Sequence, residues 1–163
     1  MTFNEIHYQH MSSKWEMVPS YTDYMVNNWR FDKPSAAVID LDGTLKSDHP
    51  SQDDIYLYVQ QALLYLQKNN ITIFLVTARA KECEGETISY LRSQNIDHYF
   101  KGMYFLPEDY TDIASFKSDA RDSIREDYSI IMCFGDRNWD LSFEDDSDEI
   151  CLNILFENPF IFE

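Results

Sequence analysis

Ala36-Ala37-Val38-Ile39-Asp40-Leu41-Asp42-Gly43-Thr44-Leu45 carries two signals at once. The four apolar residues that open it suit a strand buried on both faces, and the run ends abruptly at an acid. Gly43, directly after a second acid, signals a tight loop rather than a longer strand. Two carboxylates so close to a buried strand are costly unless something uses or neutralises them.

Working outward, the first strand is predicted over Ala36 to Asp40. Four further apolar, β-branched runs predict strands over Ile71 to Val76, Gly102 to Leu106, Ser129 to Phe134 and Ile150 to Phe156. Ile55, Val59, Ala62, Leu63 and Leu66 recur at helical spacing, so Ser51 to Lys68 is expected to be a helix with Ser51 and Asp54 as its capping box. Helices are also expected over Gly85 to Ser93 and Ile113 to Glu126. Strands alternating with helices imply a parallel α/β sheet. Ligands of such sheets bind beyond the carboxyl ends of the strands. Those ends carry Asp40 and Asp42, then Thr77, Ala78 and Arg79, then Gly135 through Asp140.

The 163 residues include 13 Lys+Arg and 29 Asp+Glu, a formal charge of −16, which fits an acidic globular protein. A hydrophobic share of 44% supplies a core and excludes a disordered or fibrous chain. Cys83, Cys133 and Cys151 are odd in number and form no CxxC, which argues against a disulfide framework or zinc ribbon and suits a reducing, cytoplasmic setting. No run reaches the roughly 18 apolar residues of a membrane span, and no leader pattern opens the sequence. The acidity opposes binding to extended nucleic acid, so a phosphate substrate would need a cation's help.

Residues 1–33 are expected to form an N-terminal extension, with a helix near Tyr21 to Trp29 packed on a domain spanning 34–163. Tyr8, Trp15, Tyr21, Tyr24 and Trp29 read as core rather than binding platform. The acidic run Glu144 to Glu149 lacks the ligand order of a calcium loop and reads as a solvated loop. His7, His10, His49 and His98 have no metal-ligand spacing and read as structural or exposed. Cys133 reads as core.

Asp40-Leu41-Asp42-Gly43-Thr44-Leu45, then Thr77, then Lys117, then Gly135-Asp136-Arg137-Asn138-Trp139-Asp140 resembles, in order, the four motifs of the haloacid dehalogenase (HAD) superfamily of phosphotransferases. The resemblance runs from Pro34 to Phe160 and points to the acid-phosphatase branch, subfamily IIIB, to whose end Glu157-Asn158-Pro159-Phe160 is similar. It implies a Rossmann-like three-layer sandwich around a five-stranded parallel sheet of order 3-2-1-4-5. Relatives often have Gly or Asn where Ala78 stands, and the secreted ones often have Glu at the position of Gly43.

The resemblance also implies roles, each with a physical reason. Asp40 would be the nucleophile, because a carboxylate is ionised at neutral pH and its acyl phosphate is labile to water. Asp42 would protonate the leaving oxygen and then activate water. Thr77 would hydrogen-bond a phosphoryl oxygen, and Lys117 would place an ammonium beside it. Lys101 is an alternative, but Lys117-Ser118-Asp119-Ala120-Arg121 resembles the third motif of the branch. Mg2+ would be held by Asp40, Asp136 and the backbone carbonyl of Asp42, with Asp140 acting through water or by holding a neighbour. Two carboxylates about 4 Å apart repel by about 4 kcal/mol at an effective dielectric of about 20, so such a cluster calls for a divalent cation.

Members of the superfamily commonly insert a cap domain after the first motif or before the motif lysine. Lys46 to Asn70 and Pro107 to Phe116 are too short for one, so a capless, open site is expected. The expected activity is a magnesium-dependent phosphomonoester hydrolase acting through an aspartyl phosphate, on a nucleotide or similar phosphomonoester. The alternatives are a polynucleotide 3′-end phosphatase and a binding module with little turnover. Tyr104, Phe105 and Tyr110 are candidates for stacking on a base or for packing. The aromatic tail Pro159-Phe160-Ile161-Phe162 leaves a homo-oligomer open.

Overall fold

Ser35–Ile39 (β1), Thr72–Ala80 (β2), Phe100–Leu106 (β3), Ser129–Gly135 (β4) and Leu152–Leu155 (β5) form one parallel sheet in the order β3-β2-β1-β4-β5. The computed structural model describes residues 11–48, 52–147 and 149–156. Helices Val18–Asn28 (α1), Leu57–Lys68 (α2), Glu84–Ser93 (α3) and Ile113–Arg125 (α4) complete three layers. Strand β1 is apolar throughout its buried length because both its faces are covered. Ala37 and Ile39 join Leu63 and Leu66 of α2, Leu91 of α3 and Val18 and Met25 of α1 in one core. Ala36 and Val38 join Phe116, Ala120 and Ile124 of α4 in the other. The α/β class and the strand order are those the sequence and the resemblance lead one to expect.

Boundaries differ where local signals are weak. Strand β2 runs on to Ala80, which pairs with Leu106 across a register shift, so Thr77 and Arg79 lie inside the strand rather than after it. Strand β5 is shorter than Ile150 to Phe156. The expected helix starts later: α2 begins at Leu57 behind an extended Tyr56 that makes no side-chain cap, Asp54 lies ahead of the helix, and Ser51, its expected capping partner, lies outside the described residues. By contrast α4 starts behind Asp112, whose carboxylate accepts from Ala114 N and Ser115 N. Helix α1 begins earlier than Tyr21, with Pro19 in the first turn, where its missing N–H costs nothing.

Residues 11–15 are also helical, and they bring Trp15 into a stack on Phe134 with ring centroids 5.2 Å apart. Only residues 107–112 connect β3 to α4. His98 is exposed. Among the described residues no helix is long and apolar enough to cross a membrane. Tyr8, His7, His10, His49, Ser51 and the segment 157–163, with its acid-phosphatase-like ending and aromatic tail, lie outside the described residues.

The acidic run is not simply solvated. Asp145 is buried against α4, where Arg121 Nε and Nη2 donate to its two oxygens at 2.7 and 2.9 Å and Arg125 Nη2 donates at 2.7 Å. Burial disfavours the Asp145 carboxylate, but these guanidinium bonds outweigh it and lower its pKa.

Candidate active site

The first acid extends the ladder of β1: Asp40 N donates to Phe134 O of β4 at 3.0 Å. The chain then folds back at once. Leu41 O accepts from Thr44, Leu45 and Lys46 N, while Gly43 N donates to Lys46 O at 2.8 Å. Leu41 and Leu45 plug this loop into the core, and Asp42 is left partly exposed. Gly43 is required twice. Its φ is +82°, and a Cβ there would stand 2.3 Å from Asp136 Oδ2.

The second acidic group comes from the turn after β4. Asp140 Oδ2 accepts from the backbone N–H groups of Asp136 and Arg137, both at 3.1 Å, which closes the 3-10 turn Asn138–Asp140. Gly135 allows this, since a Cβ there would meet Asp140 Cβ at 2.0 Å. Lys117, buried on α4, donates from Nζ to Asp40 Oδ1 at 2.8 Å and also to Asp140 Oδ1. Thr44 Oγ1 donates to Asp40 Oδ2 at 3.3 Å. One carboxylate oxygen each from Asp40, Asp136 and Asp140 lies within 4.8 Å of the others.

Electrostatics follow from Asp40, Asp136 and Asp140 facing one ammonium, with the Asp48 carboxylate close to Asp136 as well. Burial pushes Asp40 up to about 6, against the pull of Lys117, with Asp140 adding to the rise. Burial pushes Asp136 up to about 8, reinforced by the charge of Asp40. Burial works against the Lys117 ammonium, but Asp40 and Asp140 outweigh it and raise its pKa. The cluster is short of positive charge.

Asp42 stands outside this cluster. Its two oxygens accept from Arg79 Nε and Nη2, each at 2.8 Å, and Arg79 Nη1 reaches Thr87 Oγ1 of α3 at 3.3 Å. Thr77 is buried on β2, two residues beyond the Leu75–Ile39 pair, and its Oγ1 accepts from Arg79 N at 3.2 Å. From its place in the sequence Arg79 is expected only to close a strand. The available signal is period two, which puts Thr77 and Arg79 on one side of a strand. Lys101, the alternative ammonium, is exposed on β3. Two supports have no local signal. Trp15 Nε1 donates to Thr44 O at 3.1 Å, and Arg121 Nη1 donates to Trp139 O at 2.8 Å. Tyr104, Phe105 and Tyr110 line a cleft of about 380 Å³ beside α4, and Phe105 itself is buried.

Residues 52–160 match the family described as HAD superfamily, subfamily IIIB (Acid phosphatase). The chain belongs to this subfamily. As a HAD acid phosphatase it is a phosphoric monoester hydrolase, with Lys117, Asp136 and Asp140 inside the matched span and Asp40 and Asp42 ahead of it. The class C acid phosphatase from Bacillus anthracis with tungstate bound is similar in structure at a TM-score of 0.79 and 16% identity, covering 99% of this chain and 81% of that one. A second structure of the Bacillus anthracis enzyme gives 0.69 at 16% identity, covering 93% and 79%. A chain of the Pnkp1/Rnl/Hen1 complex gives 0.62 at 18% identity over 77% of this chain, which spans 48% of that one. At such identities these likenesses show the shared fold. No curated protein matches the sequence.

Proposed function

We propose that this HAD acid phosphatase is a magnesium-dependent phosphomonoester hydrolase that works through an aspartyl phosphate on Asp40 and acts on a nucleotide or similar small phosphomonoester. The observation that carries the proposal is a buried Asp40 bonded to the Lys117 ammonium at 2.8 Å and grouped with Asp136 and Asp140.

The donor set fits a hard divalent cation. Asp40, Asp136 and Asp140 offer only oxygens, and such ligands suit Mg2+ rather than a thiophilic metal. The raised Asp40 and Asp136 report an excess of buried negative charge, and the missing Cβ of Gly43 leaves room for the carboxylates of Asp136 and Asp48. Asp40, Asp136 and the backbone carbonyl of Asp42 are the proposed holders, while Asp140 secures Lys117 and the Asp136 backbone. A bound cation would neutralise these acids and draw charge from the phosphoryl oxygens.

In the proposed reaction an Asp40 oxygen bonds to phosphorus as the ester P–O bond breaks, and the leaving oxygen takes a proton from Asp42. Water then attacks phosphorus, Asp42 accepts a proton from it, and the Asp40–phosphorus bond breaks to release phosphate. Lys117 offsets charge on the phosphoryl group, and the Thr77 hydroxyl donates to one of its oxygens. The fork from Arg79 fixes the orientation of the Asp42 carboxylate.

Support for a small substrate is electrostatic, since a net charge of −16 opposes a long polyanion. The test is hydrolysis of an aryl phosphate with magnesium and with chelator, followed by a panel of free nucleotides and a 3′-phosphorylated oligonucleotide at fixed salt. Activity indifferent to chelation would remove the metal, and a preference for the oligonucleotide would replace the substrate class.

A further inference from the structure

Two of the three cysteines, unrelated in sequence spacing, meet in the fold. Cys133 lies on β4, fully buried, and pairs in register with Asn153 of β5; Cys151 stands two residues before Asn153 and is only partly buried. Cys151, just ahead of β5, packs against the core layer that holds Cys133. Their Sγ atoms are 3.7 Å apart, which is van der Waals contact. A disulfide needs about 2.05 Å, so the sulfurs have to approach by about 1.6 Å, through their side chains and the backbone that carries Cys151 into β5. The remaining cysteine, Cys83, belongs to the separate turn Lys81–Cys83 after β2.

We infer that Cys133 and Cys151 are an oxidisable dithiol, a modification site that takes a hydroperoxide and closes to an internal disulfide. The Cys151 sulfur attacks one peroxide oxygen, the O–O bond breaks, and water or an alcohol leaves with the thiol proton, giving a sulfenic acid. The Cys133 sulfur then attacks the Cys151 sulfur, the S–O bond breaks, and a second water leaves with the Cys133 proton. Two thiols and one peroxide thus give one disulfide. Cys151 is the attacking sulfur because it is the less buried of the two. Its contact with Cys133 also lowers its pKa, and the same contact, with burial, raises that of Cys133.

The cross-link would close residues 134–150, the segment that carries Asp136 and Asp140, and so staple the acidic turn between β4 and β5.

The test treats the full chain with hydrogen peroxide and counts thiols after denaturation. The count is expected to fall from three to one, with peptide mapping finding Cys133 joined to Cys151 and dithiothreitol restoring all three. Cys83→Ser should go from two thiols to none, and Cys133 should stay reduced in Cys151→Ser. The thermal midpoint of the wild-type chain should rise by several degrees on oxidation and return on reduction. Cys133 and Cys151 remaining reduced, ending as sulfinic or sulfonic acids, or linking to Cys83 or to a second chain would overturn the site. An unchanged midpoint would overturn the staple.

Discussion

Arg79 holds Asp42 by both carboxylate oxygens, and its remaining Nη1 is tied to Thr87 on α3. The proposed acid and base is thus oriented from β2 and α3, not from its own loop. Arg79→Lys keeps a positive charge but loses the planar fork. It should lower kcat on an aryl phosphate by about tenfold, and Arg79→Ala by more. Asp42→Asn should lose about 10²–10⁴, the usual range of a general acid and base. Near-normal kcat in both Arg79 variants would show that Asp42 is placed without this pair.

Trp15 braces the loop after Asp40, the proposed nucleophile, from outside the motifs. Its Nε1 donates to Thr44 O, while Thr44 Oγ1 donates to Asp40. Trp15→Phe keeps an aromatic ring against Phe134 and removes the donor. It should cost about 1–3 kcal/mol in urea unfolding, the penalty of an unsatisfied buried carbonyl, and should also lower kcat. Trp15→Ala should cost about 3–5 kcal/mol through the cavity it leaves. Unfolding midpoints unmoved in both would contradict this support.

Where these variants act also shows what a linear sequence conveys. Strand β1, its terminal acid and the alternation of strands with helices are legible because burial on both faces leaves an unbroken apolar run with a sharp polar end. Lys117 is legible through the resemblance, while its bond to Asp40 appears only in the fold. Arg79 is not, because its partner lies 37 residues away and a polar strand end looks like a loop. Asp145 fails for the same reason: an acidic run reads as solvated until α4 supplies two guanidiniums. Trp15 and the Cys133–Cys151 contact likewise exist only through tertiary packing.

Asp145 should make the fold acid-sensitive. Its folded pKa is lowered, so its contribution is present above the unfolded value and is lost as pH falls through the folded one. Asp145→Asn should cost about 3–5 kcal/mol near neutral pH, because Arg121 and Arg125 lose a buried partner. The gap between wild type and variant should shrink as unfolding is measured at progressively more acid pH below about 4. A gap that stays constant would contradict the ion-pair account.

The opposite sign applies to Asp40 and Asp136, raised to about 6 and about 8. In metal-free protein their contribution is full below the ordinary 3.8 and is lost as pH rises through those values. The thermal midpoint attributable to the cluster should therefore fall between about pH 5 and about pH 9, a trend that Asp136→Asn should flatten. Magnesium should raise the midpoint most at the alkaline end, where no proton competes for these oxygens. A magnesium effect that is equal at both ends, or absent, would contradict a cation on this cluster.

The most direct measurement is acid quenching of the protein during turnover of an aryl phosphate with magnesium, followed by peptide mass analysis. A phosphoryl group on Asp40, absent in Asp40→Asn, which should also lack activity, is the predicted result. A phosphoryl group on another residue, or turnover that survives Asp40→Asn, would contradict it.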